Sequence, residues 1–293
     1  MEHIPVLLQE SLEKLNIKAG DKIIDATIGL GGHSEAFAEI IGPTGLILGL
    51  DADEQAVKEA KDRLKEIETP LKIIHSNFRF LERVWKKEIG GWADVIFFDL
   101  GFNSSQLLSG RGFSFDSQDR LLMTYSVQPE NELTAWEIVN EWAEENLADI
   151  IYGFGGETYS RKIAANIIKK RKEKPINTAK ELAEIIMEVK KRSGKIHPAT
   201  KTFQAIRIAV NDEINSLRLG LQGAWNVLKE GGHLGVISFH GLEAREVREF
   251  FKEKQRAGLG ERINPKVTKP SRPEILNNPR SRSAQLRVIK KII

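Results

Sequence analysis

The stretch Asp25–Phe37, "DATIGLGGHSEAF", decides the fold, because it places three glycines between an apolar run and an amphipathic one. A strand that passes through a glycine-rich turn into a helix is typical of the first ligand-binding turn of an open parallel sheet. Gly29, Gly31 and Gly32 would let the backbone approach a ligand closely and expose N–H groups at the start of the helix. We therefore expect a ligand site at this turn.

The alternation of apolar runs and amphipathic segments predicts a parallel sheet. Runs that are apolar almost throughout are typical of strands buried on both faces, and strands joined by helices call for right-handed crossovers. The predicted strands cover residues 22–26, 46–51, 71–76, 94–101, 233–240 and 284–292. We expect an α/β fold with a mainly parallel sheet and helices on both faces.

The pattern is interrupted after Gly101, where helical spacing and polar loops replace the strands until about residue 210. We therefore expect a discontinuous α/β core, residues 1–104 and 211–293, that is interrupted by a helical inserted domain, residues 105–210. The segment 256–283 is rich in Pro, Arg and Asn, and we expect it to be a loop on the surface.

The composition excludes several kinds of site. The 293 residues include no cysteine, which excludes disulfides, thiolate zinc sites and a cysteine nucleophile. The first residues, "MEHIPVLLQESLEKL", carry acidic side chains and no small-residue cleavage site, so they form neither a signal peptide nor a membrane span. We expect a cytoplasmic protein that contacts no membrane.

Charge is distributed unevenly along the chain. Residues 251–293 hold 12 Lys or Arg against 3 Asp or Glu, whereas residues 1–250 hold 32 against 38. A basic tail on an acidic body is typical of contact with a polyanion, and a solvated terminus can have the same composition.

Acidic residues end three of the predicted strands. Ligands bind at the carboxyl ends of parallel strands, so Asp25, Asp51 and Asp99 are candidates for a common site. Asp51 stands where a carboxylate accepts hydrogen bonds from both ribose hydroxyls of a nucleoside. Buried Asp99 either binds a partner or caps the following turn. Phe78, after the third strand, either stacks on an adenine or belongs to the core.

The glycine loop favours S-adenosylmethionine over a dinucleotide. A dinucleotide loop needs a third glycine where this chain has Ser34, and Asp25 would repel a pyrophosphate. The same carboxylate could pair with a cationic amino-acid group, and S-adenosylmethionine has a sulfonium, an ammonium and no phosphate. A tight turn without a ligand and a nucleotide-dependent dehydrogenase are the alternatives.

Taken with others downstream, these residues resemble the MraW/RsmH family of S-adenosylmethionine-dependent methyltransferases, which modify the exocyclic N4 of a cytosine in small-subunit ribosomal RNA. The resemblance runs nearly end to end. It is carried by the following stretches: "HIPVLLQE", "DATIGLGGHS", "GLDAD", "SNF", "DLGFNSSQL", "RGFSF", "HPATKTFQAIRIAVNDE", "LKEGGHLGVISFH" and "NPRSRSAQLR".

The resemblance implies a Rossmann-like methyltransferase core with a helical insertion, and a set of residues that bind the methyl donor. Those residues are Gly31, Gly32, His33, Asp51, Phe78, Asp99 and Gln106. We expect the imidazole or the backbone N–H of His33 to lie against the amino-acid end of the donor. His33 has no second ligand at suitable spacing, so no metal site is expected.

The chain departs from the family pattern in three places. Residues 119–126 read "DRLLMTYS" where the family has a Pro-Leu-Asp-Met-Arg-Met-Asp segment. Asn103 replaces a serine after "DLG", and "SFHGLEAR" replaces "SFHSLEDR". We expect all three departures to line the substrate side, so a diverged paralogue that methylates another RNA site is an alternative.

Methylation of cytosine N4 needs hydrogen-bond acceptors, because the amine lone pair is delocalised into the ring and the site must favour a pyramidal nitrogen. Asp99 and the side-chain carbonyl of Asn103 are the candidate acceptors. His240, at the end of a predicted strand, is a third candidate, or it caps the next helix.

The expected partner is small-subunit ribosomal RNA or the small ribosomal subunit itself. A target base must be unpaired or flipped out, and the basic runs 169–174 and 190–195 would bind the RNA backbone together with the tail. The insertion would then be the substrate-recognition domain. An RNA-binding protein with a non-catalytic donor pocket is the remaining alternative.

Overall fold

The computed structural model describes residues 5–101, 109–125, 133–192 and 197–293. The chain divides into two compact units. The sheet unit comprises Met1–Gly101 and Ile214–Ile293, and the helical unit comprises Phe102–Glu213.

The strands of the sheet unit form one seven-stranded sheet in the order β3-β2-β1-β4-β5-β7-β6. The strands are β1 Lys22–Asp25, β2 Leu46–Asp51, β3 Leu71–His75, β4 Ala93–Asp99, β5 Leu228–Ser238, β6 Gly260–Arg262 and β7 Gln285–Lys291. Neighbours among β1 to β5 are parallel, and β7 is antiparallel to both β5 and β6. The predicted mainly parallel α/β architecture is confirmed.

Helices cover both faces of this sheet because successive strand residues point to opposite sides. Ile23 and Phe97 belong to a core that contains side chains of α1 and α2. Ile24 and Phe98 belong to a second core that contains side chains of α4, α10 and α11. The helices of the sheet unit are α1 Leu8–Leu15, α2 Gly32–Ile41, α3 Glu54–Arg63, α4 Leu81–Glu88, α10 Glu213–Val227, α11 Gly241–Arg256 and α12 Arg272–Asn277.

Two details of the sheet differ from the prediction. The fifth strand begins at Leu228 rather than at residue 233, and its register against β4 shifts between the pairs Ala93–Leu228 and Val95–His233. The segment 256–283 is not simply a surface loop. It contains β6, α12 and a 3₁₀ turn at Pro279–Ser283. The longer β5 pairs with β4 inside the sheet, and β6 pairs with β7 at its edge; local composition encodes neither pairing.

The described part of the helical unit contains helices and no strand, apart from an isolated bridge between Arg120 and Thr178. The segment 134–152, part of the region with helical spacing, forms two helices with a break at Trp142 and Ala143. The helices of this unit are α5 Ala135–Glu141, α6 Glu144–Gly153, α7 Ser160–Glu173, α8 Ala179–Val189 and α9 Thr200–Val210. They enclose a core of their own.

None of the helices in the described ranges is long and apolar enough to span a membrane.

Candidate active site

Three carboxylates lie at the side of the sheet where its parallel strands end, which we call the carboxylate edge. Asp25 ends β1, Asp51 ends β2 and Asp99 ends β4. Strand β1 lies between the other two. Asp25 pairs with Gly49 on one side and Phe97 on the other, so Asp51 and Asp99 each lie two residues beyond its level. The structure therefore brings these three candidates to neighbouring strand ends.

Asp25 is buried, with a relative exposure of 1%. Its Oδ2 accepts a 2.7 Å hydrogen bond from the hydroxyl of Ser34, and its Oδ1 accepts a 3.3 Å bond from the backbone N–H of Thr27. Burial raises the pKa of Asp25 to about 6, and these hydrogen bonds oppose the rise. Ser34 thus has a defined role at the position where a dinucleotide loop carries glycine.

Asp51 is held by two backbone donors. Its Oδ2 accepts a 3.0 Å bond from Gly29 N and its Oδ1 a 2.9 Å bond from Asp53 N. Burial raises its pKa to about 6, partly offset by those bonds. Each carboxylate oxygen has a second lone pair, so Asp51 can still accept the ribose hydroxyls predicted for it.

Among the described residues, one oxygen of Asp99 has no hydrogen-bond partner. Its Oδ1 is buried and accepts no hydrogen bond from the residues that the structure describes. Its Oδ2 lies 3.8 Å from Nδ1 of His33, and its backbone N–H donates a 2.6 Å bond to the Thr27 hydroxyl. Burial raises the pKa of Asp99 well above its ordinary value, and the nearby Asp25 and Glu243 carboxylates raise it further.

The carboxylate edge suits a cation that carries hydrogen-bond donors. Burial of several like charges is costly unless positive charge or donors reach them, which is why the three pKa values are raised. A phosphate group would add to the repulsion. The orphaned Oδ1 of Asp99 marks one position where a donor would be satisfied.

The glycine loop is shaped by the protein itself at two of its three glycines. A Cβ on Gly31 would lie 2.8 Å from Cδ1 of Leu64, and a Cβ on Gly32 would lie 2.6 Å from Cγ of Pro5. Gly31 also has φ 81° and precedes α2. Leu64 and Pro5 thus give a structural reason for glycine at 31 and 32, and close approach of a ligand to this backbone stays a prediction.

His33, in the first turn of α2, is buried and fixed in place. Its Nε2 lies 3.1 Å from the Val6 carbonyl oxygen, and its ring packs 4.7 Å from the ring of Phe97. With Nδ1 directed towards Asp99, the imidazole connects the glycine loop to the end of β4. Its contact with a donor molecule stays a prediction.

Phe78 lies in a 3₁₀ turn after β3. Its ring packs edge-on against Phe98 at 5.6 Å, and it contacts the apolar core. A Cβ on Gly220 would lie 2.8 Å from its Cδ2. These contacts favour the core interpretation of Phe78 that the sequence left open, and adenine stacking stays a prediction.

His240 is the N-cap of α11, as one of its two interpretations predicted. Its Nδ1 accepts a 3.4 Å bond from Glu243 N, and the Glu243 carboxylate accepts a 3.3 Å bond from His240 N and a 2.8 Å bond from Phe239 N. Nε2 of His240 lies 3.1 Å from Glu243 Oε1 outside hydrogen-bond geometry. This reciprocal box explains why histidine stands there, and its catalytic role stays a prediction.

Two of the predicted site residues, Asn103 and Gln106, lie outside the described residues. The altered segment 119–126 is described as far as Tyr125. The expectation that its departures line a substrate surface is wrong for Leu121 and Met123, which are buried in the core of the helical unit. Ala244, in the third altered stretch, is buried as well.

Ion pairs within the helical unit engage several cations of the predicted RNA-binding runs. Lys170 lies 2.9 Å from Glu188, and Lys174 lies 3.0 Å from Glu181. Lys190 lies 2.5 Å from the buried carboxylate of Glu157. These contacts support a structural role for part of the basic runs 169–174 and 190–195.

An aromatic and basic cleft on the helical unit was not singled out from the sequence. It has a volume of about 600 Å³ and is lined by Tyr152, Tyr159, Arg161 and Lys162, among others. The two tyrosines are 64% and 45% exposed, and the Lys162 ammonium lies 5.8 Å from the ring of Tyr159. Exposed aromatic rings beside cations are typical of single-stranded nucleic-acid sites.

Comparison with known proteins identifies the family of the chain. The model of the family described as "MraW methylase family" matches residues 1–292. A protein named ribosomal RNA small subunit methyltransferase H, from Coprothermobacter proteolyticus, is 42% identical over 292 residues, which cover 99% of this chain and 96% of that protein. One with the same name from a Sulfurihydrogenibium species is 43% identical over 299 residues and covers 100% of both. A solved rRNA methylase from Streptococcus thermophilus is 11% identical with a TM-score of 0.48, covering 100% of both chains.

Proposed function

Because the chain belongs to the MraW methylase family, we propose that it methylates the exocyclic N4 amine of a cytosine in small-subunit ribosomal RNA. It is an S-adenosylmethionine-dependent RNA methyltransferase that acts on the small subunit. The base and the atom that receive the methyl group are the finer part of the proposal.

The carboxylate edge carries this proposal, because its chemistry fits the donor. S-Adenosylmethionine supplies an electrophilic methyl group on a sulfonium and carries positive charge without phosphate. Asp51 would accept the ribose hydroxyls. Asp25 and Asp99, whose pKa values are raised by burial, would face the positive charge, which stabilises their ionised forms.

The catalytic role falls on Asp99. Its Oδ1 is buried and accepts no hydrogen bond within the described chain, so it can accept one from the target amine. That bond orients the amine and favours a pyramidal nitrogen. The nitrogen gains the methyl group and loses one proton, and a carboxylate with a raised pKa can hold that proton until it reaches water.

The RNA would be bound by the helical unit and by the basic tail. The cleft of Tyr152 and Tyr159 offers rings on which unpaired bases can stack, and Arg161 and Lys162 add positive charge beside it. A target base that is unpaired or flipped out meets the geometric demand of the reaction. A ribosomal substrate places this reaction in the cytoplasm, and that location stays a prediction.

Incubation with labelled S-adenosylmethionine and small ribosomal subunits tests the proposal, followed by mapping of the methylated nucleotide. The expected product is N4-methylcytosine at one position. Label on another atom or base would support the diverged paralogue. Tight donor binding without transfer to any ribosomal RNA would support a non-catalytic RNA-binding protein.

A further inference from the structure

Three arginines of the sheet unit line a cavity of about 210 Å³, which we call the arginine cavity. Arg248 comes from α11, Arg262 from β6 and Arg287 from β7. The rest of the lining is apolar or amide, including Phe251 and Asn264, and none of the lining residues is acidic. The cavity is distinct from the carboxylate edge, since it shares none of that edge's three carboxylates.

Arg287 is about half buried, and one of its guanidinium nitrogens is fully enclosed. Its Nη1 is inaccessible and has no hydrogen-bond partner in the part of the chain that the structure describes. Its Nη2 donates a 3.0 Å bond to the side-chain carbonyl of Gln285, a neutral group. Burial lowers the pKa of Arg287, and the nearby Arg248 lowers it further. Enclosing a guanidinium nitrogen without an acceptor or a counter-charge is costly, because arginine does not give up its proton.

The partners of the other two arginines leave most of the positive charge at the cavity unneutralised. Nε of Arg262 donates a 2.5 Å bond to the amide oxygen of Gln255, which is neutral. Nε of Arg248 lies 2.9 Å from the Glu249 carboxylate, but both side chains are about half exposed, so solvent weakens this pair. Positive charge therefore accumulates at the cavity.

We propose that the arginine cavity binds a phosphate group of the RNA backbone. A guanidinium fork matches the oxygens of a phosphate, and several arginines around one cavity recur where phosphate is recognised. The volume exceeds that of several water molecules, at about 30 Å³ each, and accommodates a phosphate group. The inference rests on the proposed RNA substrate, and it assigns part of the basic tail, residues 251–293, to substrate binding.

The salt dependence of RNA binding tests this proposal. Affinity of the full chain for a short single-stranded RNA is measured by fluorescence anisotropy over a range of KCl concentrations. Arg287→Gln should weaken binding about tenfold at low salt. It should also reduce the slope of log K against log salt by about 0.7, the value for one lost phosphate contact on a single strand. Arg262→Gln, at the partly exposed edge strand, should act in the same direction.

Arg83→Gln is the matched control, because it removes the same charge from an exposed position of α4, outside the cavity and outside the basic tail. It should leave the slope nearly unchanged. Without RNA, Arg287→Gln should unfold at the same temperature as the parent or higher, since it relieves a buried charge. A purely structural arginine would instead destabilise the fold when replaced.

Several outcomes overturn the proposal: an unchanged slope in Arg287→Gln and Arg262→Gln, an equal loss in Arg83→Gln, or stabilisation by inorganic phosphate without any effect on RNA binding. The last would mean that the cavity binds free phosphate. Methyl transfer and donor affinity are measured on the same variants. If the parent protein methylates ribosomal RNA but the salt slopes of parent and variants are equal, only this inference is refuted. If the parent protein transfers no methyl group, the proposed function is refuted.

Discussion

The hydroxyl of Ser34 donates a hydrogen bond of 2.7 Å to Oδ2 of Asp25, and both side chains are buried. The first residue of this pair lies in α2 and the second ends β1. The bond therefore fixes a carboxylate across the glycine loop and lowers the cost of ionising it.

Replacing Ser34 by alanine should weaken binding of S-adenosylmethionine by about tenfold at neutral pH, because a hydrogen bond to a charged group is lost. The change should also raise the pKa of Asp25 above its present value of about 6. Isothermal titration calorimetry measures the affinity. Raising the pH should recover part of the loss, whereas a simple packing defect would persist at every pH.

Donor affinity should fall by about tenfold for each carboxylate between about pH 7 and pH 5, because Asp25 and Asp51 titrate near pH 6. Their pKa values lie above 3.8, the value for an ordinary Asp. In the protein without donor, the raised pKa values of Asp25 and Asp51 therefore add to the free energy of unfolding below about pH 4. This contribution is lost as the pH rises through about 6.

Melting temperatures with and without S-adenosylmethionine, at about pH 5 and pH 7.5, check this linkage. The stabilisation by the donor should be larger at the higher pH. S-Adenosylhomocysteine, which lacks the sulfonium charge, should show a weaker dependence. Equal stabilisation at both values of pH would contradict the electrostatic account.

Replacement of Asp99 by Asn or Ala should reduce methyl transfer at least about 100-fold, the usual contribution of a positioned acid or base. The fold should be retained or stabilised, because a buried carboxylate with a raised pKa is removed. Single-turnover transfer and thermal unfolding measure the two effects. Asp62→Asn, on the exposed side of α3, is the control, and full transfer in Asp99→Ala would remove Asp99 from the mechanism.

Gly32→Ala should destabilise the protein by about 1–3 kcal/mol through overpacking, because the added Cβ would lie 2.6 Å from Cγ of Pro5. Combining it with Pro5→Ala, which removes that Cγ, should recover part of the loss. A double-mutant cycle in chemical denaturation gives the coupling. If the two changes in the free energy of unfolding were strictly additive, contact with Pro5 would not be the cause of the destabilisation.

Tyr159→Ala should weaken binding of single-stranded RNA by about tenfold, the loss of one stacked base. Tyr159→Phe keeps the ring and should bind nearly as well as the parent. Trp92→Ala, which removes a 60% exposed ring from the sheet unit, is the control in the same anisotropy assay. A similar loss in all three variants would point to a general effect on the protein.

The sheet and its acidic strand ends could be predicted because they are local features of the sequence. Strands β1, β2 and β4 are apolar almost throughout, and the carboxylates Asp25, Asp51 and Asp99 follow directly. Parallel pairing then places such residues at one edge. The family resemblance was confirmed over residues 1–292.

The features that the sequence did not predict depend on contacts between residues from different segments of the chain. Gly32 is constrained by Pro5, and Gly31 by Leu64, and no local pattern reports either contact. Leu121 and Met123 are buried from a loop without helical or strand periodicity. The arginine cavity likewise depends on how the folded sheet brings α11, β6 and β7 together.

The insertion of the helical unit between β4 and β5 has a consequence for synthesis on the ribosome. Strand β4 ends at Asp99, and its partner β5 begins at Leu228, so β4 leaves the exit tunnel with one edge unpaired. The intervening unit has its own apolar core and can fold during that interval, which shortens the loop that pairing must close. The order of assembly then becomes the first strands, the inserted helices and finally the closing strands, and the carboxylate at the end of β4 gains its neighbour β5 last.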